Sequence, residues 1–345
     1  MTSLVRSVPE TLSGLRQHPQ DHGWGAFFDA IDTLLQRKSR PLNRILSVSI
    51  SARPNASAPL IITLLGASVK RIIDSYPHLA TVLQDSQLLR DNPKRLEAVL
   101  AEYEDLILDT LLNRQNSFTG TRRFLVPQTI FSRYFARQAV DGVNFLDVGT
   151  GLGLLPRQLN GPEAFDRFSA CLEWPFGTAT YRPVPLALRY GIDRPPIPDL
   201  DWVRHCYGPS RYYDRLFNEL LWVLGLPEVV RSSACILALD VLDARKLGAF
   251  IRNHHIQAAQ CGFVLYQYQP ATREAVIASI VENLAQPGLL ISMEPRGDLT
   301  EQGCHIRLFL AGRQEAVRFA VATDSHMVGC ILPDEDYKEF TTEYL

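Results

Sequence analysis

From residue 24 to about 138, apolar positions recur at intervals of three and four, the period of a helix face. Phe27, Phe28, Ile31, Leu34 and Leu35 share one such face. Asn92-Pro93 opens a further helix, with Asn as cap and Pro at the first helical position. Leu96, Val99, Leu100, Tyr103, Leu106 and Ile107 form its apolar stripe. Leu125 to Ala139 predicts another helix, rich in aromatics. The run Pro59–Val69 reads as a buried helix too short to span a bilayer. Ile45–Ile50 fits helix or strand, and Pro and Asn around 51–59 mark a loop.

After Gly142 the pattern changes to short apolar runs alternating with helical stretches. The runs predict strands at Asn144–Val148, Leu188–Asp193, Cys235–Asp240, Phe263–Tyr268, Leu289–Glu294, His305–Leu310 and Val317–Thr323. Helices are predicted at Gly151–Asn160, Asp199–Cys206, Arg211–Leu224, Ala244–His255 and Arg273–Leu284. Such alternation implies a parallel sheet wound on both faces. The last two strands are joined by only Ala311–Ala316, too short for a crossover helix, so they pair as an antiparallel hairpin. The expectation is an α/β fold: a seven-stranded, Rossmann-like sheet over residues 141–345, behind a helical N-terminal extension or lid over 1–140.

Composition narrows the partners. The 345 residues are 46% apolar and 21% charged, enough for a packed core. With 35 basic and 37 acidic residues the net charge is −2, which argues against a nucleic-acid partner. Met1–Gln20 has no apolar segment of the signal-peptide kind, and no membrane association is expected. Six cysteines sit singly and read as buried thiols of a reducing compartment, so a cytoplasmic protein is expected. There is no C-x-x-C or H-E-x-x-H, so no metal site is expected.

The run Phe145-Leu146-Asp147-Val148-Gly149-Thr150-Gly151-Leu152-Gly153 carries the chemistry. A buried strand ends beside an acid and breaks into alternating glycines, which suit positive φ and close approach of a ligand to backbone. The expectation is that backbone amides near residue 150 lie open to that ligand. The loop resembles motif I of class I methyltransferases, which bind S-adenosylmethionine. It fits the dinucleotide fingerprint less well, since Leu154 or Leu155 stands where a third glycine or alanine belongs. On that resemblance Asp147, Gly149, Thr150, Gly151 and Gly153 hold the cofactor.

Ligands of open α/β sheets bind beyond the carboxyl ends of the strands. Asp193 ends the second predicted strand, where a carboxylate can accept both ribose hydroxyls. Glu173, nearer in sequence to the loop, is the second candidate; preferring Asp193 makes residues 161–187 an excursion. Asp240 and Asp243 follow the third strand and offer an acceptor for an adenine amine, Asp243 being equally a helix cap. Gln267, Tyr268 and Gln269 crowd the exit of the fourth, as cofactor or substrate contacts. Arg296 suits a substrate carboxylate. His205, Glu294 and Tyr268 are the candidate bases.

Residues 75–330 also resemble a bacterial family of unknown function grouped with methyltransferase-like proteins. The matching pieces are Arg114-Gln115-Asn116 with Arg122 and Pro127, the Asp147–Gly153 loop, Tyr190–Asp193 with Pro196, and Asp201–Cys206. Gln267–Pro270 and Met293-Glu294-Pro295 complete the set. The family usually carries glutamate and G-A-S-A-G-L where this chain has Asp147 and Gly149–Gly153. The resemblance implies the methyltransferase fold behind a helical extension, with Gln115, Asn116 and Arg122 projecting toward the pocket. The expected function is methyl transfer from S-adenosylmethionine to a small-molecule substrate. A ligand-binding protein of the same fold without turnover, and another Rossmann enzyme such as an NAD(P)-dependent oxidoreductase, are the alternatives.

Overall fold

A computed structural model describes residues 3–17, 22–175, 177, 179–313 and 315–345. Three stretches named above extend outside these: Met1–Gln20 at 1, 2 and 18–20, the 161–187 excursion at Phe176 and Thr178, and the Ala311–Ala316 link at Gln314. The strands are β1 (Val143–Val148), β2 (Leu172–Glu173), β3 (Leu186–Asp193), β4 (Cys235–Ala238) and β5 (Ile256–Gly262). They continue with β6 (Leu289–Pro295), β7 (Cys304–Leu310), β8 (Val317–Ala322) and β9 (Gly329–Pro333).

Among the described residues these nine strands make one mixed sheet, ordered β2-β9-β8-β7-β6-β5-β1-β3-β4. The block β4-β3-β1-β5-β6 is parallel. β6, β7, β8 and β9 pair antiparallel in succession, and β2 joins β9 in parallel. The α/β expectation and the hairpin of β7 and β8 hold; the count of seven strands does not. β2 and β9 are two and five residues long, and β9 is bounded by Gly329 and Pro333, residues that weaken a strand signal.

Side chains alternate across the sheet. Phe145, Ile291 and Met293 enter a core with helix Leu125–Arg137 and helix Arg211–Leu224, whereas Leu146 and Leu290 enter a second core under Ala244–Asn253 and Pro270–Val281. Burial on both faces is why these strands read as continuous apolar runs. Before the sheet, helices including His22–Gln36, Arg40–Ala52 and Ala58–Ser75 enclose a third core, which Trp202 and Cys206 join. Ile45–Ile50 is thus helical. The helix expected at Asn92 starts at Lys94 without a side-chain cap and stops at Glu102, and Leu106, half-exposed, lies beyond it.

The fourth parallel strand is Ile256–Gly262, not Phe263–Tyr268. Phe263 has φ +59°, which ends the strand, and Leu265–Gln267 form a tight 3-10 turn. That turn is where the helical part docks. Ser57 N–H donates to the Gln267 carbonyl (2.9 Å) and Gln269 N–H to that of Asn55 (2.9 Å). The Gln269 side-chain amide adds a bond to the Ala56 carbonyl (2.7 Å). Of the cysteines, Cys206, Cys261 and Cys304 are buried free thiols, whereas Cys171 and Cys235 are exposed. No helix among the described residues is long and apolar enough to cross a membrane.

Candidate functional site

β1 sits where the parallel order reverses, with β3 on one side and β5 on the other, so a crevice opens beyond their carboxyl ends. The loop after β1 turns sharply there. Gly149, Gly151 and Gly153 have φ of +74°, +56° and +68°, the left-handed region that disfavours a side chain. The loop amides are used internally, which corrects the expectation of open donors. Gly149 and Thr150 N–H donate to the Ile192 carbonyl (2.9 and 3.0 Å), and Gly151 N–H to Asp193 Oδ2 (2.7 Å). The loop is therefore locked to the end of β3.

The glycines differ in what surrounds them. A Cβ on Gly149 would overlap the Val264 side chain, and one on Gly153 would lie 2.5 Å from Ile236 Cδ1. At Gly151 the nearest atom would be Thr119 Oγ1, at 3.7 Å. Gly149→Ala is expected to cost about 2–4 kcal/mol of stability, strain plus overlap, and Gly151→Ala only about 1–2 kcal/mol of strain. Denaturant unfolding of both variants checks this; equal losses would remove the distinction.

The crevice and its open mouth together take in about 860 Å³. Asp147, Gly149, Thr150, Gly151 and Asp193 form one wall, and Gln267 and Tyr268 another. Gln115 and Asn116 reach it from the segment crossing above. Asp147 is 5% exposed, and burial, with Asp193 adding repulsion, pushes its carboxyl up to about 7. Burial lifts Asp193 to about 6 against the pull of the Gly151 and Arg194 amides, and Asp240 adds to the rise. Both Asp193 oxygens already accept one amide, Oδ1 from Arg194 at 2.7 Å, leaving each a further lone pair. Both amide atoms of Gln260 are buried without a hydrogen-bond partner, the Thr150 hydroxyl pulls the Asp147 carboxyl down against its burial, and both residues line the crevice.

Several expected residues lie elsewhere. Glu173 is on β2 at the far edge of the sheet, where it accepts from Cys330 Sγ (3.1 Å), so Asp193 is the acid at the loop. Gly153 packs on β4 rather than facing the crevice. Asp243 caps helix Ala244–Asn253 through Lys246 N–H (3.0 Å), the second of its two readings. Asp240 accepts from Leu242 N–H and faces Arg194 Nε at 3.4 Å, outside the crevice wall. Gln269 is spent on the helical part.

The three candidate bases are not placed as bases. His205 is buried in a helix with Nδ1 3.0 Å from Asp74, away from the crevice. Glu294 accepts the amides of Val264, Leu265 and Tyr266 (3.2, 3.0 and 3.0 Å), so it anchors the turn after β5. Tyr268 lines the crevice, but burial, with Asp240 and Asp193 nearby, pushes its phenol further above the ordinary value of 10. Arg122 is tied to Glu219, its Nη2 2.6 Å from Oε2, and Arg296 pairs with Glu301 at the surface.

Sequence reasoning missed Gln260 and Arg123, although it named Gln115, Asn116 and Arg122 of the segment that carries Arg123. Residues 114–124 form a strap over the crevice. Arg53 donates to the Leu111 and Arg114 carbonyls (2.7 and 2.8 Å) and to Gln115 Oε1 (2.6 Å). Trp202 Nε1, Tyr207 OH and Gln158 Nε2 bind the carbonyls of Gln115, Thr119 and Thr121 (2.9, 2.6 and 2.8 Å). Gln260 was hidden because its strand was placed one segment too late. Arg123 stands beside Arg122, and only tertiary packing separates a buried arginine from its paired neighbour.

No protein-family model matches the chain, and no curated protein matches it. The arrangement itself offers two carboxylates raised by burial, an unpartnered amide and a locked glycine turn around one cavity. It suits a polar ligand rich in hydroxyl and amine donors.

Proposed function

We propose that the chain is a methyltransferase with a Rossmann-like sheet that uses S-adenosylmethionine to modify a small molecule. The observation that carries the reading is the crevice at the strand reversal, bounded by the Asp147–Gly151 loop and Asp193, with the Gln260 amide unpartnered in its wall. The strand block β4-β3-β1-β5-β6 is that of a doubly wound nucleotide-binding sheet. Bound there, the cofactor would supply an activated methyl group for in-line displacement.

In this reading Asp193 accepts the ribose hydroxyls on its free lone pairs, and Gln260 and Thr150 meet polar groups of the ligand. Asp147 supplies negative charge to an ammonium. The strap and the turn at 263–268 exclude water and align the acceptor, so proximity carries the rate. None of His205, Glu294 and Tyr268 is placed as a base, which suits an acceptor that needs no proton removed. The same placement favours the second reading, a protein that binds an adenosyl ligand without turnover.

Calorimetry with S-adenosylhomocysteine and NAD tests the reading. The adenosyl ligand is expected to bind and NAD not. Asp193→Ala is expected to lose about 1.5–3 kcal/mol of binding, the range for hydrogen bonds to a charged group. Unchanged affinity in the variant removes the ribose role. Binding without methyl consumption in a cell extract selects the non-catalytic reading.

A further inference from the structure

We propose that a second chamber beside the crevice binds a small molecule with a flat apolar body and one carboxylate, held by Arg123. This names the substrate class for the reading above and rests on it only for what occupies the neighbouring crevice. The chamber and its open mouth together take in about 870 Å³. Trp24 and Phe28 of the helical part, Phe118 of the strap, Tyr213, Phe263 and Tyr266 wall it. Phe118, Phe263, Asn116 and Arg123 belong to both chambers, so occupants of the two would lie side by side.

The walls are built for a flat partner. Trp24 is seated between two glycines: a Cβ on Gly66 or Gly208 would come within 2.7 Å of its indole. Asn116 Nδ2 donates to Tyr266 OH (2.9 Å), fixing the ring that faces the chamber. Aromatic walls reward stacked or edge-on rings beyond the area they bury.

Arg123 is 7% exposed and makes no ion pair among the described residues. Its guanidinium lies on the Phe263 ring, 3.4 Å from the centroid, with Phe118 at 5.4 Å. Gly120 permits this, since a Cβ there would stand 2.7 Å from Arg123 Cδ. Its one side-chain hydrogen bond to a described residue runs from Nε to the Ser325 carbonyl (3.3 Å). Glu294 and Asp324 lie near enough to act on its charge, but neither pairs with it: Glu294 holds three amides, and Asp324 accepts from His326 N–H (2.7 Å). Arg122 alongside is neutralised by Glu219.

A guanidinium stripped of water stays charged, and without a counter-charge its burial is costly. Its terminal nitrogens form a fork that fits a carboxylate in two parallel bonds. Among the described residues no Asp, Glu or Lys lines the second chamber, and Arg123 is the permanently charged group an occupant meets there. The first crevice presents Asp147, Asp193 and Arg194 beside Arg123. A single anion on an apolar body matches the second chamber.

The test is calorimetry on the full chain with benzoate, 3-phenylpropionate and indole-3-acetate, each against its primary amide. At least one acid is expected to bind about tenfold or more tighter than its amide. Arg123→Gln should abolish that preference. Thr63→Trp, which fills the chamber from the helical part and lies outside the crevice lining, should abolish acid binding and spare the adenosyl ligand; it keeps the test open if Arg123→Gln fails to fold. Acids and amides that bind alike, or not at all, overturn the proposal. So does an Arg123→Gln variant that folds and keeps the acid preference. Acid preference intact with no adenosyl binding removes the methyltransferase reading and leaves this chamber standing.

Discussion

Glu294→Ala is expected to lower the unfolding free energy by on the order of 3–5 kcal/mol, in the upper range for one side chain. The carboxyl is partly buried and gathers three consecutive amides, Val264, Leu265 and Tyr266, at the point where Phe263 turns the chain through positive φ. Alanine leaves those three donors without an acceptor, and each buried unpaired donor costs about 1–3 kcal/mol, less when they are lost together. Glu294→Gln should cost less but still measurably, because its amide nitrogen would turn a donor toward a donor. Since the turn also carries Phe263 and Tyr266, ligand binding in both chambers should weaken with it. Urea unfolding measures the first effect; a loss below about 1 kcal/mol would mean that the turn holds without its anchor.

Stability should fall as pH rises from about 4 to 8, and Asp147→Asn should remove part of that fall. Burial holds Asp147 at about 7, Asp193 at about 6 and Glu294 at about 7. Each folded-state value lies above the ordinary one, so the folded chain keeps protons that the unfolded chain has released. The stabilisation is complete below the ordinary carboxylate range and is lost as pH climbs through 6 to 7. At pH 8 the Asn variant, with nothing to ionise, should exceed the wild type by on the order of 2–4 kcal/mol, and the two should converge near pH 4. His305 works in the opposite sense. Burial and the nearby Arg307 and Arg296 lower its value, so its contribution is lost as pH falls. Taking the difference between wild type and variant cancels it. A difference independent of pH would mean that Asp147 ionises as it does in water.

Much of the site was legible because its signals are local. The passage from β1 into alternating glycines is set by residues 145–153, and the φ values of the three glycines follow from those same residues. Asp193 was readable as a strand-ending acid, since the burial of Ile192 ahead of it is a short-range pattern. Strand β5 was not. Ala258, Ala259 and Gln260 carry little strand preference, whereas Phe263–Tyr268 carries much, and the choice between them depends on Glu294, thirty residues away. His205, Glu294 and Arg122 looked reactive because sequence gives residue type without partner. Asp74, the 264–266 amides and Glu219 respectively absorb their chemistry. Arg123 carried no signal at all, since a paired and a buried arginine are spelled the same.

Two of the three ties that fasten residues 55–57 to the turn at 267–269 are amide-to-carbonyl bonds, and Ala56 and Tyr268 meet as an antiparallel bridge. Such a seam follows the path of the main chain rather than the spelling of its side groups. A chimera could therefore exchange the front helices for unrelated ones of the same trace and still close against the sheet, receiving a new second chamber while keeping the glycine turn unchanged.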